Sequence, residues 1–368
     1  MIQTAVIDCL AGFLFTLIAV YALTPLAERV RLLDRPGDRR AHERATPAVG
    51  GVAMLMALMI PGLGVLAFEP HVPAVIAPQI QRFGVAALVV VLAGVIDDWI
   101  RLRWFWRLGA QLLAAVILVN VAHISVEHLG SVLGFPINSL GRWSELVSIV
   151  ATVGIINAVN WIDGIDGLAG SVCLVVVMML IGVAVYAGNM FLAQDLEIVA
   201  GALCGFLAFN LRTPWRPRAK IFLGNAGADL LGLIIACACF RLTQNDHHIV
   251  GPQLAPFLLA PPLIDCLTLI LRRLRSGVSP FVGDRHHFHH LLLDAGFSTT
   301  WAVTIVAGLT GFIGALAMLA MKAHAPAVGF TIVFVAMWAA YFMFSRRPET
   351  SVPALAALRQ RLHIAPSA

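Results

Sequence analysis

The chain has 368 residues, 60% of them hydrophobic and only 12% charged, about half the charged share of an ordinary soluble domain. That balance excludes a soluble globular fold. The net charge of +5 calls for no nucleic acid, because membrane orientation and contact with anionic lipid account for it. The apolar runs do not alternate with polar residues, which excludes a transmembrane β-barrel.

The first run without Asp, Glu, Lys or Arg is Cys9–Ala27, long enough to cross a hydrocarbon core of roughly 30 Å as a helix. No basic segment precedes it and no small-residue cleavage site follows, so it is expected to be a retained span rather than a leader. A basic loop follows, Asp34-Arg-Pro-Gly-Asp-Arg-Arg-Ala-His42, then Pro47 and Gly50-Gly51. It suits phosphate or headgroup contact, and equally a plain positive loop on the cytoplasmic side. The next charge-free stretch is Ala45–Phe68. The third run, Phe83–Ile96, ends in Asp97-Asp98-Trp99. Adjacent carboxylates can bind a divalent metal, or one can act as base while the other binds. A solvated helix end is the plainer reading, but carboxylates at a membrane boundary are costly unless they have work or partners.

Leu108–Val126 is the fourth run, and Leu146–Ile162 the fifth. Asn157 and Asn160 at its end, with Asp163 and Asp166 just after it, are spaced every three residues, and Gly164 and Gly167 follow the two acids. On a helix this spacing makes one slowly rotating polar stripe, and the glycines allow a ligand close to the backbone. Such a stripe between apolar runs is hard to explain as packing. Runs follow at Gly167–Gln194 and Ile198–Leu211, then a basic segment, Arg212–Lys220, then Ile221-Phe-Leu-Gly-Asn225-Ala-Gly-Ala-Asp229 opening the run Leu230–Phe240. A glycine turn opening a helix is a favourable place for a phosphate. The ninth run, about Pro252–Leu271, contains Asp265, an intramembrane acid that is either functional or a hydrogen-bond partner for a neighbouring helix. Next comes Asp284-Arg-His286-His287-Phe-His289-His290. These histidines can hold phosphate, bind metal or move protons, and Arg285 beside them favours an anion. Ala295–Met321 and Ala323–Ser345 complete eleven runs. His71, His123, His128, His247 and His248 fall on the opposite side and are read as surface or packing residues.

Of the 25 Lys and Arg residues, all but Arg82, Arg142, Arg241 and Lys322 collect in five segments. With eleven spans those segments share one side. Positive residues mark the cytoplasm, so the expected fold is all-α and polytopic, with about eleven transmembrane helices, amino terminus outside and carboxyl terminus inside. Residues 1–345 form one membrane domain and 346–368 a short cytoplasmic tail that can hold a short amphipathic helix. The six cysteines lie in apolar runs without zinc or redox spacing and are read as small core residues. Carboxylates, amides, histidines and cations all gather on the cytoplasmic side, a combination suited to a metal and a phosphate. Phosphoryl transfer between a cytosolic nucleotide and a membrane lipid fits it. A transporter would place such groups near the midplane of several spans.

These residues resemble the polyprenyl-phosphate N-acetylhexosamine-1-phosphate transferases, glycosyltransferase family 4, nearest the undecaprenyl-phosphate GlcNAc-1-phosphate transferase branch. The resemblance rests on Asp97-Asp98, on Asn157-x-x-Asn160-x-x-Asp163-Gly-x-Asp166-Gly-Leu, and on Gly205-Phe-Leu-Ala-Phe-Asn210. Phe222-Leu-Gly224, His287-Phe-His289-His290, Leu33-Asp34-Arg-Pro and Pro47-x-x-Gly50-Gly51 extend it from about residue 1 to 345. It implies transfer of a sugar 1-phosphate, by default N-acetylglucosamine 1-phosphate, from a UDP-sugar to undecaprenyl phosphate with release of UMP. That reaction is the first membrane step of a cell-surface polysaccharide, at the cytoplasmic face of the bacterial inner membrane.

The resemblance also implies Mg²⁺, with Mn²⁺ as an alternative. It assigns Asp97 to deprotonating or orienting the lipid phosphate, with Asp98 in support. Asn157, Asn160, Asp163, Asp166 and Asn210 shape the nucleotide site, Phe222 stacks on uracil, and His287, His289 and His290 hold phosphate or shape the sugar site. Direct displacement and a covalent aspartyl intermediate both fit, and a homodimer is left open. Two positions depart from the pattern. Arg101 stands where a third acid often follows the pair. The family's Gly-Asp-x-Gly-Ser is Gly224-Asn225-Ala-Gly227-Ala228 here. The missing Asp is the expected metal ligand; Asn225 keeps a carbonyl oxygen without the charge, and Asp229 is the nearest acid to compensate, one helical turn on. The alternative is a catalytically impaired homologue that binds lipid phosphate or nucleotide as an assembly partner.

Overall fold

A computed structural model describes residues 2–34, 45–68, 76–244, 249–280 and 286–365. The segment 35–44, with His42, and His71, His247, His248, Asp284 and Arg285 lie outside the described residues. Within them the chain is helical in the order α1 (Ile2–Val30), α2 (Gly50–Phe68), α3 (Ile76–Ile100), α4 (Trp104–Val116), α5 (Ser144–Ile162), α6 (Leu168–Tyr186) and α7 (Met190–Asn210). There follow α8 (Gly224–Thr243), α9 (Ala255–Leu258), α10 (Ala260–Arg275), α11 (Phe288–Asp294), α12 (Thr299–Lys322), α13 (Ala327–Ser345) and α14 (Pro348–Arg361). Runs of Leu, Val and Ala form helices here because each backbone N–H then finds its acceptor inside the segment, as hydrocarbon requires.

The apolar runs read from the sequence fall largely on helices, though Gly167–Gln194 takes in α6, a turn and the start of α7. Among the described residues nine helices are long and apolar enough to cross a bilayer on their own. A tenth crossing would be the pair Pro252–Leu258 and Ala260–Arg275, bent by 85° at its break. Pro261 and Pro262 open α10, and proline donates no backbone hydrogen bond to carry a helix through. α4 runs on through a π-turn at Ile117–Val121. The fold is not purely helical: Leu33–Asp34 (β1) and Thr46–Pro47 (β2) pair antiparallel, Leu33 opposite Pro47 and Asp34 opposite Thr46.

α8 is the axis of the bundle. It packs against α2, α3, α5 and α6, and 94% of its apolar window is buried; for α13 the figure is 6%. The outward faces of α1, α3 and α13 carry large exposed side chains such as Leu14, Ile18, Leu92 and Val335, as a lipid-facing surface should. The α3–α8 crossing depends on Gly94, where a β-carbon would collide with the backbone of Ala226. Small residues let helix backbones approach where lipid offers no hydrophobic drive to associate. This close crossing sets the end of α3 against the start of α8, and so Asp97-Asp98 against Asn225.

Past α13 the chain turns back. α14 packs on α11 and α13 and buries Ser351 and Leu355. Arg359 donates from Nε to the carbonyl of Ala295 at 3.2 Å, closing the carboxyl end of α11. The tail is thus docked on the histidine helix.

Candidate functional site

A cleft of about 160 Å³ opens at one end of the bundle, lined by Asp34, Asp98, Asn160, Asp163, Gly164, Asp166, Asn210, Arg212, Phe222, Gly224, Asn225 and His290 among others. Eight residues singled out in the sequence therefore share one cavity: Asp98, Asn160, Asp163, Asp166, Asn210, Phe222, Asn225 and His290. Asp97, Asn157, Asp229, His287 and His289 sit behind its wall.

The carboxylate pair and Asn225 form the inner end. Adjacent residues on a helix point in different directions, yet one amide reaches both acids. Asn225 Nδ2 donates to Asp97 Oδ2 and to Asp98 Oδ1, each at 2.8 Å. Its backbone N–H also donates to Asp98 Oδ1 at 3.1 Å, as an amide at a helix start has no acceptor within its own helix. Gly224, with φ of 72°, makes the turn, and a β-carbon there would strike the Asp98 carboxylate. Asp98 Oδ2 is buried without a hydrogen-bond partner among the described residues.

Behind Asn225 the polar contacts continue into the bundle. Asn160 Nδ2 donates to Asn225 Oδ1 at 3.0 Å and to Asp229 Oδ1 at 3.2 Å. Arg107 donates to Asn160 Oδ1 at 2.8 Å, and its Nε lies 3.3 Å from Asp97 Oδ2. Gln111 donates to Asp229 Oδ2 at 3.2 Å and accepts from Asn157 Nδ2 at 2.7 Å. Asp229 does lie one turn below Asn225, as its spacing requires, but both its oxygens are engaged inside the bundle. Arg107 and Gln111 escaped the sequence reading. Their signal was an amide inside an apolar run, four residues after an arginine, which puts both on one face of α4.

The polar stripe does not continue as a helix. α5 ends at Ile162, and Asp163 caps it with φ −77° and ψ 54°. Asn157 and Asn160 stay on the helix, while Asp163 and Asp166 project from the turn that follows. Asp166 pairs with Arg212 at 2.7 Å and accepts from the Ala219 backbone at 3.2 Å. Asn210 accepts from Gly167 N at 2.8 Å and donates to the carbonyl of Ile221 at 2.9 Å, so it ties this turn to the segment before α8. Phe222 is fixed by its backbone: it donates to Pro47 O at 2.8 Å, and Gly50 N donates to its carbonyl at 3.0 Å.

The histidines form the third wall. His289 and His290 have ring centroids 4.2 Å apart, and His287 stacks on His289 at 5.3 Å with 18° between planes. Of these three, His290 reaches the cleft. His289 is 2% exposed, and its Nε2, which has no hydrogen-bond partner, lies against Gly164. Burial first, then His290 and His287 beside it, hold its pKa well below the ordinary histidine range. The ring of His289 packs against the turn at Gly164. His287 is paired with Asp265 at 2.8 Å.

Among the described residues no three His, Cys, Asp or Glu side chains converge as a metal-ligand group. The cleft nonetheless offers carboxylate and amide oxygens beside basic Arg212 and the amino end of α8, an arrangement suited to a polyphosphate at a membrane boundary. It is a polar cleft, rich in carboxylates and amides, on a polytopic helical membrane protein. The sequence model of glycosyl transferase family 4 matches residues 80–243, the stretch from α3 through α8. The chain is 33% identical over 327 residues to an undecaprenyl-phosphate alpha-N-acetylglucosaminyl 1-phosphate transferase of Haemophilus influenzae, covering 88% of this chain and 90% of that protein. Proteins of the same name are 32% identical in Pasteurella multocida, over 84% and 85% of the two chains, and 28% identical in Escherichia coli K12, over 84% and 83%. The chain belongs to glycosyl transferase family 4.

Proposed function

We propose that this protein transfers a sugar 1-phosphate from a UDP-sugar, by default UDP-N-acetylglucosamine, to undecaprenyl phosphate, releasing UMP. The observation that carries the reading is the single cleft joining Asp98 and Asn225, the turn with Asp163 and Asp166, Phe222 and His290. In this reading eleven spans cross the bacterial inner membrane with the amino terminus outside, and the cleft faces the cytoplasm. Residues 1–345 are the transferase domain. The bilayer supplies the acceptor lipid, and the product starts a cell-surface polysaccharide.

Phe222 offers a ring for uracil, held in place through backbone bonds to Pro47 and Gly50. Asp163 and Asp166 bound the nucleotide end, and Arg212, paired with Asp166, sits where a diphosphate needs a cation. Asp98, which lines the cleft, receives the lipid phosphate and takes up its proton, and Asp97 behind it orients the pair through Asn225. Arg107 offsets the charge of Asp97. His290 faces the same space and serves the sugar phosphate.

The donor set fits a hard dication such as Mg²⁺, because the buried Asp98 Oδ2 has no hydrogen-bond partner among the described residues. Asp98 and Asn225 would hold it. When bound, Mg²⁺ or Mn²⁺ supplies neutralisation of the diphosphate charge.

A second reading, a homologue that binds substrates without turnover, draws on one observation: the Asn225 amide bridges both aspartates in place of a third carboxylate. UMP release from a series of UDP-sugars, with undecaprenyl phosphate and Mg²⁺, separates the two. We expect turnover with at least one N-acetylated sugar. A preparation that binds undecaprenyl phosphate and turns over none of them removes the transferase reading and leaves the second.

A further inference from the structure

We propose that Asp265 is a positioning residue for the histidine wall: its carboxylate fixes which nitrogen of His287 carries the proton and anchors the first turn of α11. The catalytic consequence rests on the transferase reading above. Asp265 is 4% exposed and lies in α10, outside the cleft. Three donors from two other parts of the chain converge on it. His287 Nδ1 lies 2.8 Å from Oδ2, the Phe288 backbone N–H donates to Oδ1 at 3.1 Å, and the Tyr341 hydroxyl of α13 donates to Oδ1 at 2.5 Å.

A buried carboxylate is stable only when hydrogen-bonded, and here each bond organises something. A carboxylate has no hydrogen to give, so the bond to His287 holds the proton on Nδ1. Nε2 is then the nitrogen left to accept or release a proton, in a tautomer set by the group behind the ring. Phe288 N–H begins α11 and has no acceptor within that helix, so Asp265 supplies one from another helix. His287 in turn stacks on His289 and meets His290 edge-on at 6.0 Å. Its orientation therefore bears on His290, which lines the cleft. α10 is itself tied to the end of α5, where Arg273 stacks 4.7 Å over Trp161, so Asp265 also sets the histidines in register with the Asn160–Asp166 wall.

The test uses the full chain in lipid nanodiscs. Asp265→Asn should lower kcat for UMP release roughly 10–100-fold, the effect typical of losing a partner that orients a working side chain, and leave KM for the UDP-sugar within about threefold. Asp265→Glu should recover part of the loss. Tyr341→Phe, which removes one donor and keeps the His287 bond, should lose no more than about fivefold. A kcat within threefold of wild type for Asp265→Asn overturns the assignment, and so does loss of UMP binding in step with kcat.

A second readout needs no turnover. ¹⁵N-histidine NMR of the wild type, with the His287 signals assigned from His287→Gln, should show the proton on Nδ1. A proton on Nε2 overturns the proposal. If wild type releases no UMP but shows Nδ1–H at His287, and Asp265→Asn abolishes that state, the Asp265–His287 assignment stands and the transferase reading falls.

Discussion

The carboxylate end and the histidine end of the cleft are built on different plans. At the carboxylate end α3, α4, α5 and α8 are cross-linked by their own polar side chains: Asn225 joins two acids to Asn160, and Asn160 joins Arg107 and Asp229. At the histidine end a seven-residue helix carries the rings and is gripped from outside, by Asp265 at its start and Arg359 at its close. The first design couples chemistry to the integrity of the bundle. The second separates them, because the gripping residues lie on elements that, among the described residues, contribute nothing to the cleft lining.

Asp98→Asn should break this comparison most severely. It removes the acid with an unused oxygen at the cleft, and UMP release should fall roughly 10³-fold while UDP-sugar binding by calorimetry stays within a few-fold. A fall of less than tenfold would place the working acid elsewhere. Phe222→Ala should raise KM for the UDP-sugar about tenfold, since stacking on a base is worth about 1–3 kcal/mol, with kcat nearly unchanged; an unaltered KM removes the stacking role.

Asn225→Asp sharpens the metal question. A third carboxylate should lower by several-fold the Mn²⁺ concentration for half-saturation, read by electron paramagnetic resonance. Unchanged binding would show that the position is not a ligand. Asp229→Ala strips Gln111 and Asn160 of an acceptor, which costs about 1–3 kcal/mol and should lower Tm visibly. An unmoved Tm would mean the network carries no stability.

The smallest effect belongs to the histidine end. With its folded pKa depressed, His289 makes the unfolded state the better proton acceptor. Stability is therefore full above the unfolded value near 6.5 and falls as pH drops below it. The Tm decline between pH 7.5 and 5.5 should be shallower in His289→Gln than in wild type. Equal slopes would assign the acid sensitivity to other groups.

Much of this was legible in the sequence because hydrocarbon punishes polar groups so heavily. An apolar run must be helical, and Asp97, Asp98, Asn160 and Asp166 stood out against such runs. Three features were not legible. The spacing of Asn157 to Asp166 suggested one stripe, but Gly164 and Gly167 let the chain leave the helix after Ile162, and spacing alone does not say where. Arg107 read as one more positive-inside residue, because its ion pair with Asp97 exists only once α4 packs beside α3. Asp265 had two open readings, and Tyr341 gave no signal, since their contact joins residues 76 apart.

The order in which the network's members emerge from the ribosome matters for how the protein is made. Asp97, Asp98, Arg107, Gln111 and Asn160 all precede Asn225 and Asp229 in the chain. An aspartate at the centre of a lone entering helix costs roughly 2.5–3.5 kcal/mol during membrane insertion. When α8 leaves the translocon, every side chain described as receiving Asn225 and Asp229 has already been synthesised. The most buried helix of the bundle can thus be threaded into a socket prepared by α3, α4 and α5, without exposing Asp229 to lipid for long.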